Sequence, residues 1–182
     1  EAGFLPDVLP WPSVVDELDS RVAEDWGLPT GVRLCLGGLD VNCAAIGAGV
    51  VDVGSVCLVS GSYENLLAVS RDLPTSGMLL RGLSVMPHPG RAGRSVLAVH
   101  PTGNAVMDWA RDLVGAEIET LEADLNDRMA PSPLQAVPYL SGSMVYWEEG
   151  RKATGALVGL TLATTPTDVV QAFMEGIAYD HV

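Results

Sequence analysis

"LCLGGLDVNCAAIGAGV" (residues 34–50) sets one carboxylate, Asp40, between two runs of apolar residues. The first run, within "VRLCLGG" (32–38), reads as a buried strand, with Gly and Pro punctuation just ahead of it. The second, "DVNCAAIGAGVV" (40–51), is small and apolar at helical spacing, which puts Asp40 at or near a helix N-cap. Gly37 and Gly38 carry no Cβ, so backbone or a ligand can come close there. In an open α/β sheet, ligands meet the chain where a strand ends and the next helix begins. The positive end of that helix favours the ionised carboxylate. Two roles fit Asp40, a helix cap and a proton acceptor at the edge of a cleft, and one side chain can serve both.

Working outward, residues 1–12 are proline-rich and read as a linker or entering loop. "SVVDELDSRVAEDWG" (13–27) predicts a short helix, capped by Ser13 and ended by Gly27. "SVCLVSGSYENLLAVS" (55–70) starts as a strand and turns at "SGS". Residues 71–95 are rich in Gly, Pro and Arg and read as irregular, with one or two short strands. "VLAVHPTGNAVMDWARDLVG" (96–115) runs from a strand through a turn into a helix, and "AEIETLEADLNDRMA" (116–130) predicts an amphipathic helix. On that helix Leu121, Leu125 and Met129 form a packing stripe. Residues 131–155 read as loop and strand. "TPTDVVQAFMEGIAYDHV" (165–182) carries the strongest helix signal: Thr165 as cap, Pro166 in the first turn, Asp168 at the positive end, and Val169, Phe173 and Ile177 on one face. Alternating strands and helices predict an α/β class. The helical pattern is still running at the last residue and the chain begins without Met, so it reads as a piece of something longer.

The 182 residues are 48% hydrophobic and suffice for one good core or two small ones sharing an interface. With only ten Lys and Arg and a formal net charge of −13, the chain lacks the basic footprint of a nucleic-acid binder and would be repelled by an anionic membrane. No apolar run reaches the roughly 18 residues of a membrane span. The first residues lack the basic and apolar regions of a signal peptide. Cys35, Cys43 and Cys57 are odd in number and lie in apolar segments at spacings that suit neither zinc nor a disulfide framework. They are read as buried, reduced thiols of a cytoplasmic protein.

Two further turns invite ligands. "SGSYE" (60–64) follows a strand, and its backbone N–H groups and hydroxyls could hold phosphate oxygens, although an ordinary hairpin turn looks the same. "HPTGN" (100–104) has the same ambiguity, and His100 reads as a turn or surface histidine. The glycines of "GAG" (47–49) fall within the apolar helix rather than ahead of it, so they are not a nucleotide fingerprint.

Taken together, four segments resemble the FGGY carbohydrate kinases. "GLPTGVRLCLGGLDVNCAAIGAGVVDVGSVCLVSGSYE" (27–64) is similar to that family's Gly-Gly-x-Asp, small-residue helix, strand and Gly-Thr-type phosphate turn. "HPTGNAVMDWARDL" (100–113) resembles its Gly-containing turn and following helix, "PYLSGSMVYW" (138–147) its Pro-Tyr-Leu-x-Gly stretch, and "GALVGLTLATTPTDVVQAFMEGIAY" (155–179) its C-terminal signature. The resemblance implies an actin-like, ribonuclease-H-like ATPase fold, of which this chain would be a middle slice. Residues 1–52 would close the sugar-binding N-terminal domain and 53–182 would begin the ATP-binding C-terminal domain. It further implies transfer of phosphate from ATP to a sugar or polyol hydroxyl by the parent protein, with Mg²⁺ bridging the phosphates. Asp40 matches the catalytic base at the sugar. Gly61 and Ser62 match the turn at the ATP phosphates, with Ser62 where threonine is usual, and Gly103 and Asn104 match a turn near the nucleotide.

The chain also departs from the pattern. Residues 143–156 lack the usual Asp-Pro, Thr154 precedes Gly155 where Arg or Lys is usual, with Arg151 and Lys152 read as a shifted substitute, and Phe173 stands where a smaller residue is preferred. The family's Asp-x-Gly-Thr phosphate motif and its Gly-Gly-Gly adenosine motif are expected outside this stretch, so the piece alone is expected to be inactive. These departures leave room for a non-catalytic, sugar-sensing or scaffold relative on the same fold. The resemblance allows a homodimer and does not name the sugar.

Overall fold

A computed structural model describes residue 3 and residues 6–89, 93–144 and 151–181. The chain enters through a short antiparallel hairpin, β1 (Val14–Glu17) with β2 (Arg33–Cys35), connected by α1 (Ser20–Asp25). The predicted helix over 13–27 is thus half strand. Ser13 donates to the Pro10 carbonyl instead of capping, and Asp19 caps α1 by accepting from the Arg21 N–H. "SVVDELDSRV" has helical periodicity, but Val14, Asp16 and Glu17 pair with β2, so a long-range ladder overrides local pattern. β2 is exposed along its length rather than buried.

After β2 comes α2 (Asp40–Gly47), then the main sheet. Its strands are β3 (Val56–Ser60), β4 (Glu64–Ser70), β5 (Ser84–Pro87) and β6 (Arg94–His100), in spatial order β3-β4-β6-β5, all antiparallel. A short helix, α3 (Ser76–Leu80), precedes β5, so the stretch read as irregular holds one helix and one strand. Val41 and Ala45 of α2 pack with Val50 on Leu67, Val69 and Leu97 of the sheet, forming the first core.

The second core joins α4 (Asn104–Val114) to the last helix, α6 (Pro166–Tyr179), through Val106, Ala110, Val169, Ala172, Phe173 and Leu134. Trp109 meets Phe173 edge-on, ring centroids 5.6 Å apart. α5 (Ile118–Asn126) lies between them in sequence, and β7 (Gln135–Val137) pairs with β8 (Ala156–Val158) beside α6. Gly176 makes that approach close: a Cβ there would stand 2.5 Å from the Ala136 carbonyl.

Three further expectations change. Cys35 and Cys43 are exposed and Cys57 is half-buried, all as free thiols, because the β1–β2 hairpin and the outer face of α2 carry no covering layer among the described residues. Leu121 is buried, but Met129 lies beyond the end of α5 and is exposed. His100 is no surface residue: its ring nitrogen Nδ1 stands 2.8 Å from Asp180 Oδ2 with both side chains largely enclosed. Part of the unusual stretch, residues 145–150, lies outside the described residues. Among the described residues no helix is long and apolar enough to cross a membrane.

Candidate active site

Asp40 sits in the first turn of α2, one residue inside the cap. Leu39 is the N-cap and offers no side-chain hydrogen bond, so Asp40 itself supplies the acceptor: its Oδ1 receives the Val41 N–H at 2.7 Å. The carboxylate is exposed and Oδ2 has no protein partner among the described residues. β2 ends at Cys35 and α2 begins at Asp40, so the expected strand-to-helix junction is present. Neither Gly37 nor Gly38 has a positive φ. A Cβ on Gly37 would meet nothing within 4 Å, and one on Gly38 would make ordinary contacts with Cys43, Pro89 and Trp11. The two glycines are therefore not demanded by backbone strain. They keep the space ahead of Asp40 open.

That space is a groove of about 560 Å³. Its walls are residues 8–11, the turn 37–39, Asn42 of α2, and residues 86–89 at the end of β5. Asp40 thus lies between groove-lining residues on either side in sequence.

The second pair of candidates comes together without Asp40. Gly61 and Ser62 form the tip of the β3–β4 hairpin, closed by Gly61 N–H donating to the Tyr63 carbonyl at 3.1 Å. Gly103 is the N-cap of α4, with no side-chain cap, and the Asn104 N–H donates to the Gly61 carbonyl at 2.9 Å. Only glycine fits at 103, because a Cβ would stand 2.5 Å from the Gly61 oxygen and 3.0 Å from that of Ser62. The Ser62 hydroxyl and the Asn104 side chain remain exposed. A hydroxyl, a turn and the positive end of an 11-residue helix share one corner, a set of donors that suits phosphate oxygens.

One charge there escaped the sequence reading. Glu64, at the foot of the hairpin, is buried: its Oε1 accepts from Ser60 Oγ at 2.6 Å, and its Oε2 is buried with no partner among the described residues. Glu64 sits opposite His100 in the β4–β6 ladder. His100 in turn belongs to a knot around Asp180, which accepts from Thr102 Oγ1 at 3.2 Å and Tyr139 OH at 2.8 Å. Burial alone would raise the Asp180 pKa. The hydrogen bonds from His100, Tyr139 and Thr102 and the His100 charge outweigh it and hold the carboxyl below its ordinary range. Burial and the neighbouring carboxylate push Tyr139 up to about 12. No local pattern announces this knot, since its members lie up to 80 residues apart.

No family model matches the chain. It is similar to xylulose kinase of Klebsiella pneumoniae, 29% identical over 181 residues that cover 96% of this chain and 36% of that protein. It is also similar to L-xylulose/3-keto-L-gulonate kinase of Escherichia coli, 25% identical over 190 residues covering 98% of this chain and 35% of that protein. Among solved structures, a xylulose kinase from Brucella ovis superposes with a TM-score of 0.79 at 23% identity, covering 92% of this chain and 34% of that one. These curated relatives are thus nearly three times as long as the chain, and the solved structure shares its fold.

Proposed function

The chain belongs to the FGGY carbohydrate kinases, and on that premise we propose that the full protein carrying it transfers a phosphoryl group from ATP to a hydroxyl of a sugar or polyol, with Asp40 as general base. The observation that carries this reading is the exposed Asp40 carboxylate, one oxygen unpaired, in the first turn of α2 beside an open groove. Phosphoryl transfer asks mainly for positioning and charge neutralisation, so a carboxylate is base enough for the attacking hydroxyl. The names of the curated relatives put a ketopentose first among the substrates to try.

In this reading residues 1–52 close the sugar-binding domain and residues 53–182 begin the ATP-binding domain. Phosphate oxygens are held at the corner between the β3–β4 hairpin tip and α4 by the exposed Ser62 hydroxyl and Asn104 side chain, while the Gly61 and Asn104 N–H groups, bonded to the Tyr63 and Gly61 carbonyls, fix its shape. Closure of the two domains brings the hydroxyl held at Asp40 to the terminal phosphate and keeps water out. Magnesium, which takes only one or two protein carboxylates and completes its shell with phosphate and water, would be held with the nucleotide and not by Glu64, whose unpaired Oε2 is shut off from solvent. That ion would neutralise phosphate charge.

Asp40→Asn in the full-length protein is expected to lower sugar-dependent ADP formation by at least about a hundredfold, the lower end of what a general base contributes. Sugar affinity by calorimetry should stay within a few-fold. Turnover close to wild type would refute the assignment. Glu64 favours a second reading, a sugar-binding relative that takes no nucleotide, because an unneutralised carboxylate at the foot of the turn opposes a triphosphate. Titration with ATP, with and without magnesium, separates the two. Magnesium-dependent binding supports the kinase, and no binding under either condition supports the sugar-binding relative.

A further inference from the structure

The last helix ends on a carboxylate whose charge two effects oppose. Asp180 is the C-cap of α6, where the negative end of a 14-residue helix disfavours a further negative charge, and its side chain is only 6% exposed. Three donors offset that cost, and they divide between its two oxygens. Oδ1 accepts from Tyr139 OH. Oδ2 accepts from His100 Nδ1, at the last residue of β6, and from Thr102 Oγ1, in the turn that leads on into α4. An ionised carboxylate only accepts, so the proton in the His100 contact lies on Nδ1. The turn itself is enclosed: Pro101, Thr102 and Gly103 are buried, and Thr102 has no exposed surface. One oxygen at the end of α6 thus holds the turn at two points, and one of them is the residue before Gly103. Capping α6 does not account for an acid here, because the Asp180 backbone N–H already closes the helix.

We propose that Asp180 is a positioning residue for the nucleotide: through Thr102 and His100 it sets where Gly103 stands, and with it the spacing of the Ser62 hydroxyl and the Asn104 side chain that the kinase reading assigns to phosphate. The proposal rests on that reading for the identity of the ligand. It adds a residue that touches no ligand and acts from the far end of α6. The path from Asp180 to the corner is short and has no slack. Gly103 follows Thr102 directly, and a Cβ at 103 would stand 2.5 Å from the Gly61 oxygen and 3.0 Å from that of Ser62. Turn and hairpin tip are therefore in direct contact, and the Asn104 N–H ties them at 2.9 Å. A turn released from Asp180 either draws away from the tip or presses on it, and both movements change the spacing of the two exposed donors. Tyr139 anchors the other carboxylate oxygen to the segment after β7, a strand that packs against α6. None of His100, Thr102, Tyr139 and Asp180 lines the groove beside Asp40, so the effect belongs to the nucleotide and not to the sugar.

The test is calorimetric titration of the full-length protein with ATP in the presence of magnesium, and separately with xylulose, with KM and kcat followed in parallel. The variants are Thr102→Val, Thr102→Ser, Asp180→Asn and Thr165→Ala. Thr102→Val keeps the buried volume and removes the hydroxyl. It is expected to weaken ATP binding, and raise the KM for ATP, about three- to tenfold, the effect of one hydrogen bond, with kcat and sugar affinity little changed. Thr102→Ser retains the hydroxyl and is expected to restore ATP affinity to within about twofold of wild type. Asp180→Asn should weaken ATP binding at least as much as Thr102→Val, and if it does not fold, Thr102→Val decides. Thr165→Ala loosens α6 at its opposite end and is expected to leave ATP affinity unchanged, whereas a role confined to holding the helix would move all the variants alike. ATP affinity within about twofold of wild type in the folded Thr102→Val and Asp180→Asn variants overturns the positioning role and leaves the kinase reading intact. An equal loss in Thr165→Ala, or an equal loss of sugar affinity, does the same. ATP binding that weakens as expected, in a protein that forms no ADP, supports the positioning role and overturns the kinase reading alone. A wild type that binds no ATP overturns both.

Discussion

Gly103 is the residue on which the corner between the β3–β4 hairpin tip and α4 turns. It has no Cβ, so the Gly61 carbonyl can reach the first N–H of α4, and the hairpin tip rests directly on the helix start. Gly103→Ala is expected to force the two apart, at a cost of about 1–3 kcal/mol in stability. In the full-length protein it should raise the KM for ATP while leaving sugar affinity alone, and equal KM values for both would argue against a nucleotide role for this corner. The positions of Asp40 and of the two turns were legible in the sequence because each stands where regular structure ends, and Gly, Asp and Ser mark such places; the roles proposed for these residues come from the resemblance. Asn42, His88 and Glu64 were not. His88 hides between two prolines in a stretch that reads as loop, and Asn42 sits in a helix whose other residues look like core. What sets them apart is one buried atom each that lacks a partner among the described residues once folded, and no local pattern encodes that.

Among the elements, α6 was read almost to the residue. Thr165 Oγ1 accepts the Asp168 N–H at 3.2 Å and Asp168 Oδ2 accepts the Thr165 N–H at 2.7 Å, a complete capping box with Pro166 in the first turn. Arg128 adds a 2.5 Å contact to Asp168 Oδ1 and a further hydrogen bond to Gln171. Thr165→Ala is expected to destabilise by about 1 kcal/mol. Phe173→Ala, which empties the α4–α6 interface, should cost about 3–5 kcal/mol in urea unfolding. If the two substitutions cost the same, α6 is not held chiefly by burial. β1 shows the opposite case. Its sequence is helical by period and becomes a strand because β2, sixteen or more residues on, offers a ladder. The same hairpin explains the misread cysteine at 35, since a two-stranded ribbon with no covering layer has no inside.

At the scale of the whole molecule, two carboxyls set the response to acid. Asp168 is held below its ordinary pKa first by the Arg128 hydrogen bond and then by the Thr165 backbone, and Asp180 by its three donors against burial. Both bind a proton less readily folded than unfolded. Their contribution is therefore complete above the ordinary carboxylate range and disappears as pH falls through their depressed folded values. Tyr139 works at the other limit: the unfolded chain releases that proton near pH 10, the folded one only near 12, so stability declines across that interval. Unfolding midpoints followed against pH should fall on both sides, and Asp180→Asn should flatten both limbs; a variant with the wild-type profile would remove the knot from this account. The contact at Gly103 reaches further still. Because the hairpin tip and the head of α4 share a hydrogen bond with no side chain as cushion, the tip is seated directly on the rod whose Val106 and Ala110 pack in the second core with α6, so sheet edge and helical layer meet there through backbone alone.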